Sequence, residues 1–233
     1  ALNDLVEKND ATELIPGLAE ISPRAQATNR FNVFMSGRLS DDAKKVKQAH
    51  LGLAGFGHAV ALCDADAQYP DALKGKKSPQ MKLRGVAFGD LPDNQSAQDA
   101  EQEIKRFVEE HANRALALSL LPFTQDRERL FDELRDASVA LMPSWHEGFG
   151  LVAWEAIAAG VPLVLSQNSG VYQLLEGINN RMFTHLVQGL DLQSQVDDPF
   201  FTDADKTKVA KAIITVARSP ETWRTNSARL REE

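Results

Sequence analysis

The chain has 233 residues, 43% of them hydrophobic, enough to bury one large core without disulfide or metal support. Its 26 lysines and arginines against 33 aspartates and glutamates give a net charge of −7, and the basic residues are scattered, which argues against a nucleic-acid binder held by a basic stripe. The single cysteine, Cys63, can form no intramolecular disulfide, and the longest nearly uncharged apolar stretch, Leu151 to Leu165, is broken by Glu155, Gly160 and Pro162, so the expectation is a cytoplasmic protein with no membrane span of its own.

Residues 1–30 are mixed and polar, with Pro16, Gly17 and Pro23 as breakers, and read as an entering, interdomain segment ahead of one domain over 31–233. Phe31-Asn32-Val33-Phe34-Met35 alternates like a strand and ends at Ser36-Gly37. A helix is predicted from 41 or 42 toward 62, although Gly52, Gly55 and Gly57 weaken its middle. A turn-rich stretch leads to a second strand over 82–88, then a helix over 97–113 with Ile104, Phe107 and Val108 at helical spacing. The apolar run 115–121, closed by Pro122, is a third strand, and 127–136 is a short helix carrying Leu130, Phe131 and Leu134. A strand over 139–142 stopped by Pro143, a helix over 150–159 capped by Gly160, and a strand over 162–165 follow. Toward the end, 183–187 reads as an edge strand, 188–202 as an acidic loop, and 203–218 and 221–230 as helices. Short, fully apolar strands alternating with helices indicate a parallel sheet buried on both faces, hence a Rossmann-like, doubly wound α/β domain.

In such a sheet, ligands sit outside the carboxyl ends of the strands. Three stretches qualify. Gly37-Arg38-Leu39-Ser40 follows the first strand, with Lys44 and Lys45 shortly after; a glycine for close approach, helix N–H groups and two cations are the ingredients of a phosphate site. The same cations also suit simple pairing with Asp41 and Asp42. Ser144-Trp145-His146-Glu147-Gly148-Phe149-Gly150 follows the 139–142 strand and runs into the helix that carries Glu155. Its two glycines again imply close backbone approach at a helix start. At 1.5 Å per residue Glu147 and Glu155 stand about 10–12 Å apart, which suits two ends of an extended ligand and is too far for a shared proton. The plain alternative is that Glu155 reaches solvent and Glu147 stabilises the helix start. Pro122-Phe123-Thr124-Gln125 follows the 115–121 strand and offers an aromatic to a planar base, or is a plain strand-to-helix turn.

Together, Arg38, Lys44, Glu147-Gly148-Phe149-Gly150-Leu151, Glu155 and the following Ala156-Ile157-Ala158-Ala159-Gly160-Val161-Pro162 resemble the donor-binding, C-terminal half of retaining GT-B glycosyltransferases with an E-x7-E motif. The likeness runs from about Phe31 to Gly177. It implies that Arg38 and Lys44 clamp the pyrophosphate of a nucleotide-diphosphate sugar, beside Gly37. Glu147, with backbone N–H groups of Gly148, Phe149 and Gly150, would meet the donor sugar and phosphate. Glu155 would hold the ribose hydroxyls, Leu151 would pack near them, and Phe123 and Thr124 would border the base. The donor is then a substrate, with no cofactor and no metal. The implied partner is an N-terminal, acceptor-binding half not contained in this chain, through which any membrane association would come, and nucleic acid is not expected.

Two departures stand out: Lys44 is followed by Lys45 where many members have a lysine-glycine pair, leaving open which lysine faces the phosphates, and Gln173 stands near a place where members often carry an acidic residue. Rival readings are a non-catalytic nucleotide-sugar sensor, or another GT-B enzyme such as a sugar-nucleotide epimerase or phosphorylase. The donor base and sugar are not legible. The Gly52-x-x-Gly55-x-Gly57 pattern falls inside a helix rather than at a strand-to-helix turn, so it does not read as a dinucleotide loop. His58 and His111 fall within helices and read as structural, whereas His146, next to Glu147, is the histidine nearest the candidate loop.

Overall fold

A computed structural model describes residues 21, 30–36, 48–75, 79–86, 96–177, 183–193 and 201–233. The strands are β1 (Asn32–Ser36), β2 (Gln80–Val86), β3 (Ala117–Pro122), β4 (Val139–Met142), β5 (Leu163–Ser166) and β6 (Gln188–Leu190). The helices are α1 (Ala49–Ala65), α2 (Ala97–Ala112), α3 (Arg127–Arg135), α4 (Leu151–Ala158), α5 (Gly170–Gly177), α6 (Asp203–Arg218) and α7 (Pro220–Glu232). The strands form one parallel sheet in the order β3-β2-β1-β4-β5-β6. The chain winds outward from β1 to β3, then returns to lay β4 on the other side of β1. That reversal opens a crevice at the carboxyl ends of β1 and β4, where open α/β sheets take ligands.

Side chains alternate across each strand, and both faces are apolar. Val33, Met35, Val139 and Leu141 pack with α1 and α6, while Phe34, Ala140, Leu163 and Leu165 pack with α4 and α5. The expected three-layer, doubly wound α/β fold is therefore the one observed.

The glycines that weaken α1 as a sequence pattern are what lets it pack. A Cβ at Gly52 would overlap the Met35 sulfur under it, one at Gly55 would overlap Val209 of α6, and one at Gly57 would stand 2.7 Å from the Val108 carbonyl oxygen of α2. The described part of this helix begins at Ala49, because Gln48 has a left-handed backbone (φ 50°); the predicted start at 41 or 42 lies outside the described residues. Side chains close the starts of other helices: Ser96 and Asp99 form a reciprocal box on α2, and the Asp126 carboxylate and Thr202 hydroxyl accept from the first turns of α3 and α6.

Three segments differ from the sequence expectation. The run 183–187 is not a strand; Thr184–Leu186 is a 3-10 turn, and the edge strand is β6, inside the stretch expected as loop. Pairing with β5 selects it, since Gln188, Gly189 and Leu190 register against Val164, Leu165 and Ser166. Helix α5 has no counterpart in the sequence reading. At the opposite end, Ile21 is buried and its carbonyl accepts from Arg231 of α7 at 2.6 Å.

His58 of α1 and His111 of α2 lie within helices, as expected, and neither lines the cleft at the sheet's carboxyl end. His111 meets Phe107 edge-on at 4.8 Å, and Phe201 also lies beside it. Burial first, then the Lys206 ammonium, holds both imidazoles below their ordinary value of 6.5. A lowered histidine value in the folded state means the unfolded chain binds more protons, so stability is complete above about 6.5 and falls as pH drops below it. A urea titration of the His58→Gln, His111→Gln variant should show a smaller loss between pH 7.5 and 5.5 than wild type.

Candidate functional site

The crevice at the β1/β4 reversal is a cleft of about 370 Å³ lined by Ser36, Met142, Ser144, Glu147, Phe149, Gly150, Leu151 and Val152. Its floor is the end of β4 and its wall is the start of α4. Gly150 makes this turn: it has φ 96° and ψ 61°, a backbone that side chains rarely adopt, and a Cβ there would touch Met142 Cε at 3.0 Å. Its carbonyl accepts from Ala153 and Trp154 at 3.0 and 3.2 Å, which starts the helix. The N–H groups ahead of these, at Leu151 and Val152, belong to the first turn, where helix donors have no intrahelical partner.

Helix α5 fixes the loop from behind. The Gly170 and Val171 N–H groups donate to the Glu147 and Phe149 carbonyls at 3.2 and 2.8 Å, and Glu147 forms a parallel bridge with Ser169. The start of α5 is thus spent on holding 147–149, leaving the start of α4 to face the cleft. A Cβ at Gly170 would overlap the Gly148 carbonyl oxygen and lie 2.9 Å from Phe149 Cα, so only glycine fits. Gly170→Ala is expected to cost about 1–3 kcal/mol of stability by overpacking. A wild-type denaturation midpoint in this variant would contradict the packing described.

The Ser144 hydroxyl donates to Glu147 Oε2 at 3.3 Å, which orients that carboxylate at the cleft. Phe149 is held edge-on by Trp154 at 5.4 Å, Leu151 is 62% exposed at the rim, and Gly148 is exposed with open space where a Cβ would be.

Glu155 is not in the cleft wall. One turn into α4, its carboxylate is 17% exposed and lies 3.5 Å from Nη2 of Arg127, the first residue of α3. Burial raises its protonation above the ordinary carboxylate range, and the Arg127 guanidinium opposes that rise. Phe123, 72% exposed, and Thr124, whose hydroxyl accepts from the Asp126 N–H at 3.1 Å, form the turn into α3. The site therefore has two poles: the cleft at β1 and β4, with Glu147, Phe149, Gly150 and Leu151, and a second region where Glu155 meets α3 and its preceding turn.

Gly37, Arg38, Lys44 and the neighbouring Lys45 lie outside the described residues; β1 carries the chain to Ser36, at the cleft, immediately before Gly37. His146 is exposed beside Trp145 and does not line the cleft. Among the described residues no group of three or more His, Cys, Asp or Glu is placed to hold a metal ion. No described helix is long and apolar enough to cross a membrane.

Sequence reasoning gave no site role to Ser36, Met142, Val152, Arg84 and Arg127, and placed Ser144 only as the first residue of the candidate 144–150 stretch. Ser36 and Ser144 carried a usable signal, since each follows the last apolar position of a strand. So did Arg127: a cation at the first position of a helix opposes the helix dipole, which marks it as serving something else. Arg84 of β2 is only 3% exposed; its Nε donates to Glu133 Oε2 at 2.9 Å and its Nη1 to the Pro122 carbonyl at 2.6 Å, pinning the residue before Phe123.

The family model for family 4 glycosyltransferases in conflict systems matches residues 1–233. The GDP-mannose-dependent alpha-(1-6)-phosphatidylinositol dimannoside mannosyltransferase of Mycobacterium tuberculosis is 30% identical over 118 residues, 51% of this chain and 26% of that protein. Among solved structures, Anabaena HepE in complex with UDP and glucose aligns with a TM-score of 0.55 at 20% identity, over 88% of this chain and 43% of that one. The pneumococcal O-GlcNAc transferase GtfA in complex with UDP and GlcNAc aligns with a TM-score of 0.58 at 19% identity, over 92% of this chain and 35% of that one. The chain thus spans about a quarter of the curated relative and less than half of these structures, and its fold is that of a GT-B glycosyltransferase half.

Proposed function

The chain belongs to the family 4 glycosyltransferases in conflict systems, and from that we propose that its cleft binds a nucleotide-diphosphate sugar and that transfer from it proceeds with retention. The observation that carries this reading is the start of α4 facing the cleft at the β1/β4 reversal, with Glu147 at its mouth and Glu155 one turn into the helix. An extended ligand satisfies both poles at once. Its ribose hydroxyls donate to Glu155, its base borders Phe123 and Thr124, and its diphosphate crosses the α4 start at Gly148 to Val152, where free N–H groups and the helix dipole favour an anion. Arg38 and Lys44, which follow β1 in the sequence, are proposed to supply positive charge to the diphosphate. UDP and GDP-mannose in the descriptions of the relatives support this donor class.

In the proposed reaction the bond between the sugar's anomeric carbon and a β-phosphate oxygen breaks, an acceptor hydroxyl oxygen forms the new bond on the same face, and the hydroxyl proton passes to the departing diphosphate. Negative charge grows on the departing diphosphate, and fixed N–H groups and cations meet it without reorganising, so catalysis is positioning and electrostatic stabilisation. Glu147 is positioned to accept from sugar hydroxyls. The acceptor is proposed to be bound by residues outside these 233, in keeping with the 26% to 43% of each relative that the chain covers.

Calorimetric titration with UDP-glucose and GDP-mannose, each with and without EDTA, tests the reading. Binding of a nucleotide sugar that survives EDTA is the expected result. Failure of both to bind, or strict dependence on added magnesium, would overturn it.

A further inference from the structure

Resting on the reading of Glu155 as the ribose ligand, we propose that Arg127 is a positioning residue for donor binding, which orients the Glu155 carboxylate toward the ribose hydroxyls. The geometry is specific. Arg127 is 68% exposed yet is drawn to the buried side of α4, with Nη2 3.5 Å from Glu155 Oε1 and its guanidinium 5.5 Å over the Phe131 ring one turn along α3. A cation at the first position of α3 is disfavoured by that helix's own dipole, so a compensating contact is needed there, and Glu155 supplies it. Glu155 in turn is the one charged residue of an otherwise apolar helix, with its side chain 17% exposed, where an ionised carboxylate is costly without a partner. Among the described residues Arg127 is the one charged group whose field reaches Glu155; α4 itself, a stretch of eight residues, carries no other charge. The pair also ties α4 to α3 and the Phe123 turn, so the ribose and base regions are held by one contact.

The sign of the consequence is fixed. Burial raises the Glu155 carboxyl and Arg127 lowers it, so removing Arg127 moves its protonation to higher pH. Donor affinity, which needs the ionised form, is complete above that pH and declines below it.

The test uses the whole 233-residue chain, wild type and Arg127→Ala, Arg127→Lys and Glu155→Gln. UDP-glucose and GDP-mannose serve as probes, because their phosphate diesters do not titrate between pH 4 and 8. Affinity is measured by calorimetry across that range, and the Glu155 carboxyl is titrated directly by carbon-13 NMR in the free protein. Arg127→Ala should move both the acid limb of the affinity profile and the carboxyl midpoint to higher pH; Arg127→Lys should restore most of the wild-type position, and Glu155→Gln should abolish the acid limb. A carboxyl midpoint unchanged in Arg127→Ala, or an unmoved affinity profile with donor still bound, would overturn the inference while leaving the donor site intact. If no nucleotide sugar binds wild type at any pH, the donor reading itself falls, and the role of Arg127 in binding falls with it.

Discussion

Replacing Arg84 by alanine is expected to lower the unfolding free energy by about 3–5 kcal/mol, the usual result of leaving one partner of a buried ion pair uncompensated. For a chain of this size that corresponds to a drop in Tm of roughly 6–20 °C. Arg84 is buried in β2, with Glu133 of α3 on one side of its guanidinium and the Pro122 carbonyl on the other. Both partners lose their donor at once. Among the described residues, Glu133 then keeps Arg129, 3.4 Å away and mostly exposed, as its cation. If the loss comes from stranded charge rather than from lost packing, the double variant Arg84→Met, Glu133→Leu should recover more than half of it. Differential scanning calorimetry on the three proteins decides this, and an Arg84→Ala protein within 2 °C of wild type would contradict the pair's structural role. Because Arg84 also fixes the carbonyl just ahead of Phe123, the single variant should weaken nucleotide binding beyond what stability alone explains.

The second large effect is functional. On the proposed binding mode, Glu155→Gln should reduce nucleotide-sugar affinity by about 1–3 kcal/mol, roughly five- to 150-fold, because the proposed charge-assisted acceptor of the ribose hydroxyls becomes a neutral amide with one acceptor and one donor group. Stability should hold or rise slightly, since the replacement removes a half-buried carboxylate whose ionisation burial opposes. Calorimetry separates the two quantities. Wild-type affinity in this variant would take Glu155 out of the site and leave the α4 start to act alone.

The middle of the sheet was legible because β4 and β5 are apolar runs: 139–142 was placed to the residue, as was the helix over 203–218, bounded by Thr202 and Ser219. The stretches that misled were those whose structure is decided by partners distant in sequence. Gln188-Gly189-Leu190 becomes an edge strand because β5 is beside it, and its glycine leaves room for the Tyr172 ring of α5. Helix α5 was hidden because its first N–H groups are bound by the 147–149 carbonyls, distant partners that no local capping residue announces. At the site, glycines and acidic residues after strand ends were visible as Glu147, Gly148, Gly150 and Glu155. Their contacts were not, since the Glu155–Arg127 and Arg84–Glu133 pairs join residues on different elements and leave no local pattern. The structure also divides what the motif presents as one stretch: Glu147 belongs to the cleft and Glu155 to the α3 junction.

The central claim is that one nucleotide sugar spans both poles, and a crystal structure of the 233-residue chain with the tighter-binding of UDP-glucose and GDP-mannose tests it most directly. The account predicts the diphosphate within hydrogen-bond distance of N–H groups between Gly148 and Val152, the ribose hydroxyls on the Glu155 carboxylate, and the base against the Phe123 turn. A nucleotide bound away from the β1/β4 crevice, or seated there with its ribose clear of Glu155, would contradict it.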